Sequence, residues 1–148
     1  MFLPMNDKQF VFWKMRRRGS PNITIANLVG ISRQAVSKAL LVMDTKIETA
    51  LREMAQANQI AIDKINAERG ILLGRSIPFQ TAVIIFVSEK HGMQVWYVHD
   101  GDCGTCQRYT GCIELLWDYA NELGIRIEKT ASPTKMAEEL FTKVRALV

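Results

Sequence analysis

The sequence lacks several features that would place it in other classes of protein. None of its hydrophobic stretches approaches the ~20 residues that a membrane span needs. The first residues, MFLPMNDKQF, lack the basic start and the apolar stretch of a secretory signal peptide. There is no internal repeat and no low-complexity tract. We therefore expect a cytoplasmic globular protein with no membrane partner, whose core needs no disulfide bonds.

Acidic residues are scarce in the first third of the chain. Residues 1–46 carry eight Lys or Arg against only Asp7 and Asp44, a net charge of +6. Residues 47–148 carry eleven Lys or Arg against thirteen acids, a net charge of −2. A basic surplus confined to one segment predicts a polyanionic partner for that segment, and a solvated basic face is the alternative.

Hydrophobic periodicity predicts an α+β fold in two domains. Residues 1–58 read as three helices, at 7–18, 21–29 and 32–58, and residues 59–148 as a small domain with an antiparallel sheet. In the second part, 60–73 suggests a hairpin, although the third helix could instead continue to about residue 69, and two β-branched runs at 81–88 and 93–99 predict another hairpin. A helix at 108–123, a short strand at 125–128 and a helix at 132–147 complete the prediction.

The third predicted helix carries a long apolar stripe with alternating spacings of four and three. Its members are Val36, Leu40, Met43, Ile47, Ala50, Met54, Ala57 and Ala61. This heptad-like pattern is typical of a dimer seam, and we expect a homodimer on that basis. The alternative is an amphipathic helix that folds onto its own domain.

The segment ITIANLVGISRQAVSKAL, residues 23–40, has the pattern of two short helices joined by a tight turn. Apolar residues occupy the positions where such helices pack on each other: Ile25, Val29, Ile31 and Val36. Ala26 is small at the helix crossing, Gly30 suits a turn of positive φ, and Ser32 can cap the second helix. The segment resembles the helix-turn-helix of bacterial and archaeal transcription regulators. The resemblance covers about residues 7–40.

The resemblance implies that the second helix enters the major groove of double-stranded DNA. Four side chains would then reach base edges: Arg33, Gln34, Ser37 and Lys38. Five others are candidates for phosphate contacts: Arg16, Arg17, Arg18, Thr24 and Lys46. The alternative is a helix-turn-helix that serves as a protein-interaction module.

A cluster of potential metal ligands follows the last predicted strand, with the spacing His99-x3-Cys103-x2-Cys106-x5-Cys112. One His and three Cys match a closed tetrahedral zinc site, and the same ligands can hold an iron–sulfur cluster. A redox dithiol at Cys103 and Cys106 and unligated cysteines are the alternatives.

Together these features predict a sequence-specific DNA-binding transcription regulator with a metal or redox site in its C-terminal part, and not an enzyme. Three alternatives stay open: a thiol-redox enzyme that uses the C-x2-C pair, a metal-dependent hydrolase, and an adaptor that binds DNA without sequence preference or binds protein.

Overall fold

The computed structural model describes residues 8–99, 109–129 and 132–148. Within them the chain has an α+β fold, as predicted. The helices are α1 (Lys8–Arg17), α2 (Asn22–Val29), α3 (Arg33–Ala57), α4 (Tyr109–Leu123) and α5 (Pro133–Arg145). The strands are β1 (Ile60–Asn66), β2 (Ile71–Ser76), β3 (Thr81–Ser88) and β4 (Gly92–Tyr97). No helix in these ranges is long and apolar enough to cross a bilayer.

The four strands form an antiparallel sheet in the order β1-β2-β3-β4. The hairpin predicted at 60–73 is confirmed, and its turn at 67–70 ends on Gly70 with φ +69°. Residues 125–128, predicted as a strand, are not in a strand. Their side chains alternate between half-buried and exposed, as in a strand, but Ile125 and Ile127 pack against the helix-covered core and pair with no other described strand.

The sheet lies between two layers of helices. Successive side chains of β3 point to opposite faces of the sheet, and those on each face pack against one layer. Val83, Ile85 and Val87 pack with α1, α2 and α3 in one buried cluster. Ile84 and Phe86 pack with α4 and α5 in a second cluster. A run of six buried residues, 83–88, is therefore a central strand covered on both faces.

The apolar stripe of α3 faces its own chain. Five of its members are almost completely inaccessible to solvent and belong to the cluster shared with α1 and the sheet: Val36, Leu40, Met43, Ile47 and Ala50. The helix ends at Ala57 and the stripe's last member, Ala61, lies in β1. The interpretation of the stripe as a dimer seam is wrong, because β1, β3 and α1 already cover it.

The segments before and after residue 58 share this core. Trp13 of α1 donates a hydrogen bond from Nε1 to the carbonyl oxygen of Ala67, 3.0 Å away in the β1–β2 turn. A Cβ added to Gly70 in that turn would lie 2.8 Å from the Trp13 ring, so the ring packs directly on the backbone. The predicted boundary at 58/59 thus coincides with the end of α3 and lies inside a continuous hydrophobic cluster.

Candidate nucleic-acid interface

The turn between α2 and α3 has the geometry that the sequence predicts. Gly30 adopts φ 76° and ψ 34°, and its amide donates to the Ala26 carbonyl oxygen at 2.9 Å. The amide of Ile31 donates to the same oxygen at 3.2 Å, which closes the end of α2. The Ser32 hydroxyl accepts from the amide of Ala35 at 3.1 Å and so caps α3.

The two helices are held together by few side chains. Ile25, Ala26 and Val36 are buried between α1, α2 and α3. Asn22 at the start of α2 donates from Nδ2 to the Ser37 hydroxyl at 3.1 Å. Val29 and Ile31, predicted to pack in the same interface, lie on either side of Gly30 in the turn and are 43% and 39% exposed.

The amino-terminal turns of α3 present a polar and cationic surface to solvent. Arg33, Gln34 and Lys38 are exposed, and Ser37 is half-buried beside Asn22. Residues 19–43 contain no Asp or Glu, so no carboxylate of α2 or of α3 before Asp44 competes for these cations. The structure therefore brings three of the four predicted base-contacting residues to one accessible helix end, with Ser37 bonded beside them.

Two predicted phosphate contacts are accessible and two are engaged in ion pairs. Thr24 and Lys46 are exposed, and the Lys46 ammonium donates to Gln9 Oε1 at 2.8 Å. Arg16 forms a bidentate pair with Asp44 of α3, with Nη1 3.1 Å from Oδ2. Arg18 remains 61% exposed but pairs with Glu89 at 2.7 Å.

Arg17 is not a phosphate contact, because its side chain is completely buried. Its Nη1 donates to the carbonyl oxygen of Val87 at 2.6 Å and to that of Arg69 at 3.3 Å. Its Nη2 lies 3.5 Å from a Glu89 oxygen and 3.7 Å from a Glu122 oxygen. Burial lowers the pKa of Arg17 from its ordinary value, although both carboxylates oppose the shift.

Glu89 and Glu122 are ion-pair partners of Arg17 that the sequence did not predict. Glu122 of α4 accepts from the Ser88 hydroxyl at 2.9 Å and from the amides of Glu89 and Lys90 at 2.9 and 3.1 Å. No local pattern links these residues to Arg17, since they lie 72 and 105 positions further along the chain. The basic surplus of residues 1–46 is thus partly neutralised by acids from the second part of the molecule.

A second charged contact joins the β3–β4 turn to α4. His91 Nε2 lies 2.8 Å from an oxygen of Asp118, and the Lys90 ammonium lies 3.2 Å from the same oxygen. The hydrogen bond from His91 is the main cause that lowers the pKa of Asp118 from its ordinary value. His91 thus joins the β3–β4 turn to α4.

Two of the four predicted metal ligands lie in the described part of the chain. The ring nitrogen Nδ1 of His99 is 2.7 Å from the carbonyl oxygen of Tyr97, to which it donates, so Nε2 is the nitrogen available to a metal. Cys112 is half-buried in α4. Cys103 and Cys106 lie outside the described residues, and the described ones contain no group of three potential ligands.

Comparison of the chain with protein-family models, curated proteins and solved structures finds no match. Its function therefore has to be argued from its own residues.

Proposed function

We propose that the chain binds double-stranded DNA sequence-specifically through α2 and α3 and acts as a transcription regulator. The observation that carries this proposal is the accessible amino-terminal end of α3, where Arg33, Gln34 and Lys38 stand clear of the Gly30 turn. An α-helix fits the major groove of B-DNA with its first turns against the base edges. Arg33 would read guanine and Gln34 adenine, each through two hydrogen bonds.

The phosphate contacts of this complex would be few. Arg17 is buried and Arg16 is paired with Asp44, so Lys46, whose ammonium also donates to Gln9, and Lys38 are the two cations left for phosphates, beside the uncharged Thr24. Two phosphate-neutralising cations per chain predict a slope of about −2 for log K against log salt. A steeper slope would mean that Arg16 and Arg18 leave their carboxylate partners in the complex.

The experiment is selection from a random double-stranded DNA pool, followed by fluorescence anisotropy on the enriched sequence and on single-base variants. We expect Gln34→Ala to lose about 1–3 kcal/mol of discrimination at one base pair while phosphate-driven affinity persists. Arg33→Ala should likewise lose discrimination at a second base pair. Arg52→Ala is its charge-matched control, because Arg52 is an exposed base on the same helix, 19 residues further along, and pairs only with Glu48 among the described residues.

Failure to enrich any sequence, with salt-dependent binding to all DNA, would leave the non-specific adaptor as the better description. Absence of salt-dependent binding to any DNA would remove nucleic acid as the partner altogether.

A protein-binding role for the same helices is a second candidate, and exposed apolar side chains favour it. Leu28 of α2 is 71% exposed and Leu41 of α3 is 69% exposed, and Ile23 and Val42 are also accessible. Large exposed side chains of this kind on adjacent helices are typical of interaction surfaces. Leu28→Ser and Leu41→Ser would abolish binding to a protein partner, whereas DNA binding through Arg33 and Gln34 would survive both changes.

The C-terminal metal or redox site stays part of the proposal. The orientation of His99 supports it, since a backbone-bonded Nδ1 is the usual arrangement of a metal-binding imidazole. Bound zinc would close a structural tetrahedron with the three cysteines, whereas an iron–sulfur cluster would respond to oxidation. Anaerobic purification with an absorption spectrum and metal analysis separates zinc, iron–sulfur and metal-free thiols.

The homodimer also stays a prediction, but the five buried members of the α3 stripe do not supply its interface. Stoichiometry on a DNA duplex carrying one or two copies of the selected site tests it independently.

A further inference from the structure

A cavity of about 630 Å³ lies between β4 and α5, away from the helix-turn-helix. Trp96 and Phe141 form its apolar wall, with ring centroids 5.7 Å apart and planes at 41°. Ala137 of α5 adds a small side chain to the lining, and Val98 and His99, which follow β4, also belong to it. Its volume falls within the ~300–1,000 Å³ typical of small-molecule sites.

Among the described residues of the lining, positive charge exceeds negative charge. Lys135 and Arg145 contribute two cations and Glu138 one carboxylate, and two threonine hydroxyls add neutral hydrogen-bonding groups. Neither cation forms an ion pair with another residue in the described ranges, and both are exposed. An aromatic wall with an unpaired cationic rim fits a planar organic anion better than a neutral or cationic molecule.

The two cations lie at opposite ends of the cavity. They are ten residues apart on one helix, so their Cα atoms are about 15 Å apart and a single carboxylate contacts one of them. Lys135 is in the first turn of α5, directly after the Ser132 cap and Pro133. The partial positive charge of a helix amino terminus adds to the charge of Lys135, whereas the carboxyl end near Arg145 carries the opposite partial charge.

We propose that this cavity binds a small aromatic carboxylate, with its ring against Trp96 and Phe141 and its carboxylate at Lys135. The site does not depend on the proposed DNA binding, because its described lining comes from β4, the two residues after it and α5, and it can be tested on the free protein. Bound ligand would cover the small part of Trp96 and Phe141 that solvent reaches, 8% and 2% of the two residues, and would neutralise the amino-terminal end of α5.

The test is an NMR titration of the full-length protein with 2-naphthoate, followed through the indole N–H signals of its three tryptophans. Comparison with Trp96→Phe assigns the signal of Trp96. We expect a saturable shift of that signal, with Trp13 and Trp117 much less affected. The neutral isostere 2-naphthamide should bind about fivefold more weakly, the value of one partly exposed charge interaction.

Two matched variants locate the carboxylate. Lys135→Gln should weaken naphthoate binding about fivefold and leave the affinity for naphthamide unchanged, while Arg145→Gln, which removes the same charge from the other end, should have a smaller effect. Both side chains are exposed, so neither change threatens folding. The proposal is overturned by absence of a saturable shift at Trp96, by equal binding of acid and amide, or by an Arg145→Gln effect as large as that of Lys135→Gln.

Discussion

Replacing Arg17 with Met tests whether this buried guanidinium holds the two helical layers to the sheet. Met keeps an apolar side chain of similar length and removes the charge together with the hydrogen bonds to Val87 and Arg69. It also leaves the carboxylates of Glu89 and Glu122 close together without the cation between them. Their side chains are only 12% and 10% exposed, so water replaces little of the lost interaction.

The expected loss of unfolding free energy depends on the contacts that Glu89 and Glu122 keep in the variant. Removing one partner of a buried ion pair costs about 3–5 kcal/mol. Glu122 keeps three hydrogen bonds and Glu89 keeps Arg18, which places the loss at the lower end, about 3 kcal/mol. In a chain of this size, about 3 kcal/mol lowers the melting temperature by roughly 6–12 °C.

Urea unfolding followed by far-UV circular dichroism measures this loss directly. The control is the double variant R17M/E89Q, which removes the repulsion between the two carboxylates while Glu122 keeps its three hydrogen bonds, and we expect it to recover about 1 kcal/mol of the loss. A loss of less than about 1 kcal/mol in R17M, or a double variant no more stable than R17M, would refute this role of Arg17. Either result would mean that the guanidinium acts only by packing against Trp13.

Two further predictions concern packing and ionisation. A Cβ at Gly74 would lie 2.5 Å from the carbonyl oxygen of Ala61 in the paired strand, so Gly74→Ala should lose about 1–3 kcal/mol in urea unfolding. Gly111→Ala is its control: it lies in helix α4 with open space around it and should gain about 0.5 kcal/mol, and equal effects at the two glycines would contradict the packing argument. Burial raises the pKa of Tyr119 well above its ordinary value, so the folded state resists its ionisation and stability should fall as pH rises above 10. Tyr119→Phe should remove that part of the fall without loss at neutral pH, and an unchanged alkaline profile would show that other groups cause it.

Features fixed by neighbouring residues were predictable from the sequence. Gly30 and Ser32 set the end of α2 and the start of α3 through local backbone geometry and a local cap. The β-branched run at 81–88 predicted both ends of β3, because a central strand needs apolar residues on both faces.

Features that depend on distant partners were not predictable in the same way. The stripe of α3 has the same spacing whether a second helix or a sheet covers it, so periodicity did not identify β1 and β3 as its cover. Arg17, Arg16 and Arg18 look alike in a basic triplet, yet only Arg17 points between the sheet and α4. Whether each arginine can reach a phosphate depends on the face of α1 from which its side chain projects.

The uneven burial of the helix-turn-helix implies an uneven resistance to local opening. Helix α2 buries only Ile25 and Ala26, whereas α3 continues for 25 residues into the core beneath the sheet. Amide protons of the second half of α3 and of β3 should therefore exchange with solvent only through global unfolding, and those of α2 through smaller and more frequent fluctuations. If α2 and α3 bind DNA as proposed, binding would suppress fluctuations chiefly in α2, and the entropy of ordering this short helix would set part of the affinity.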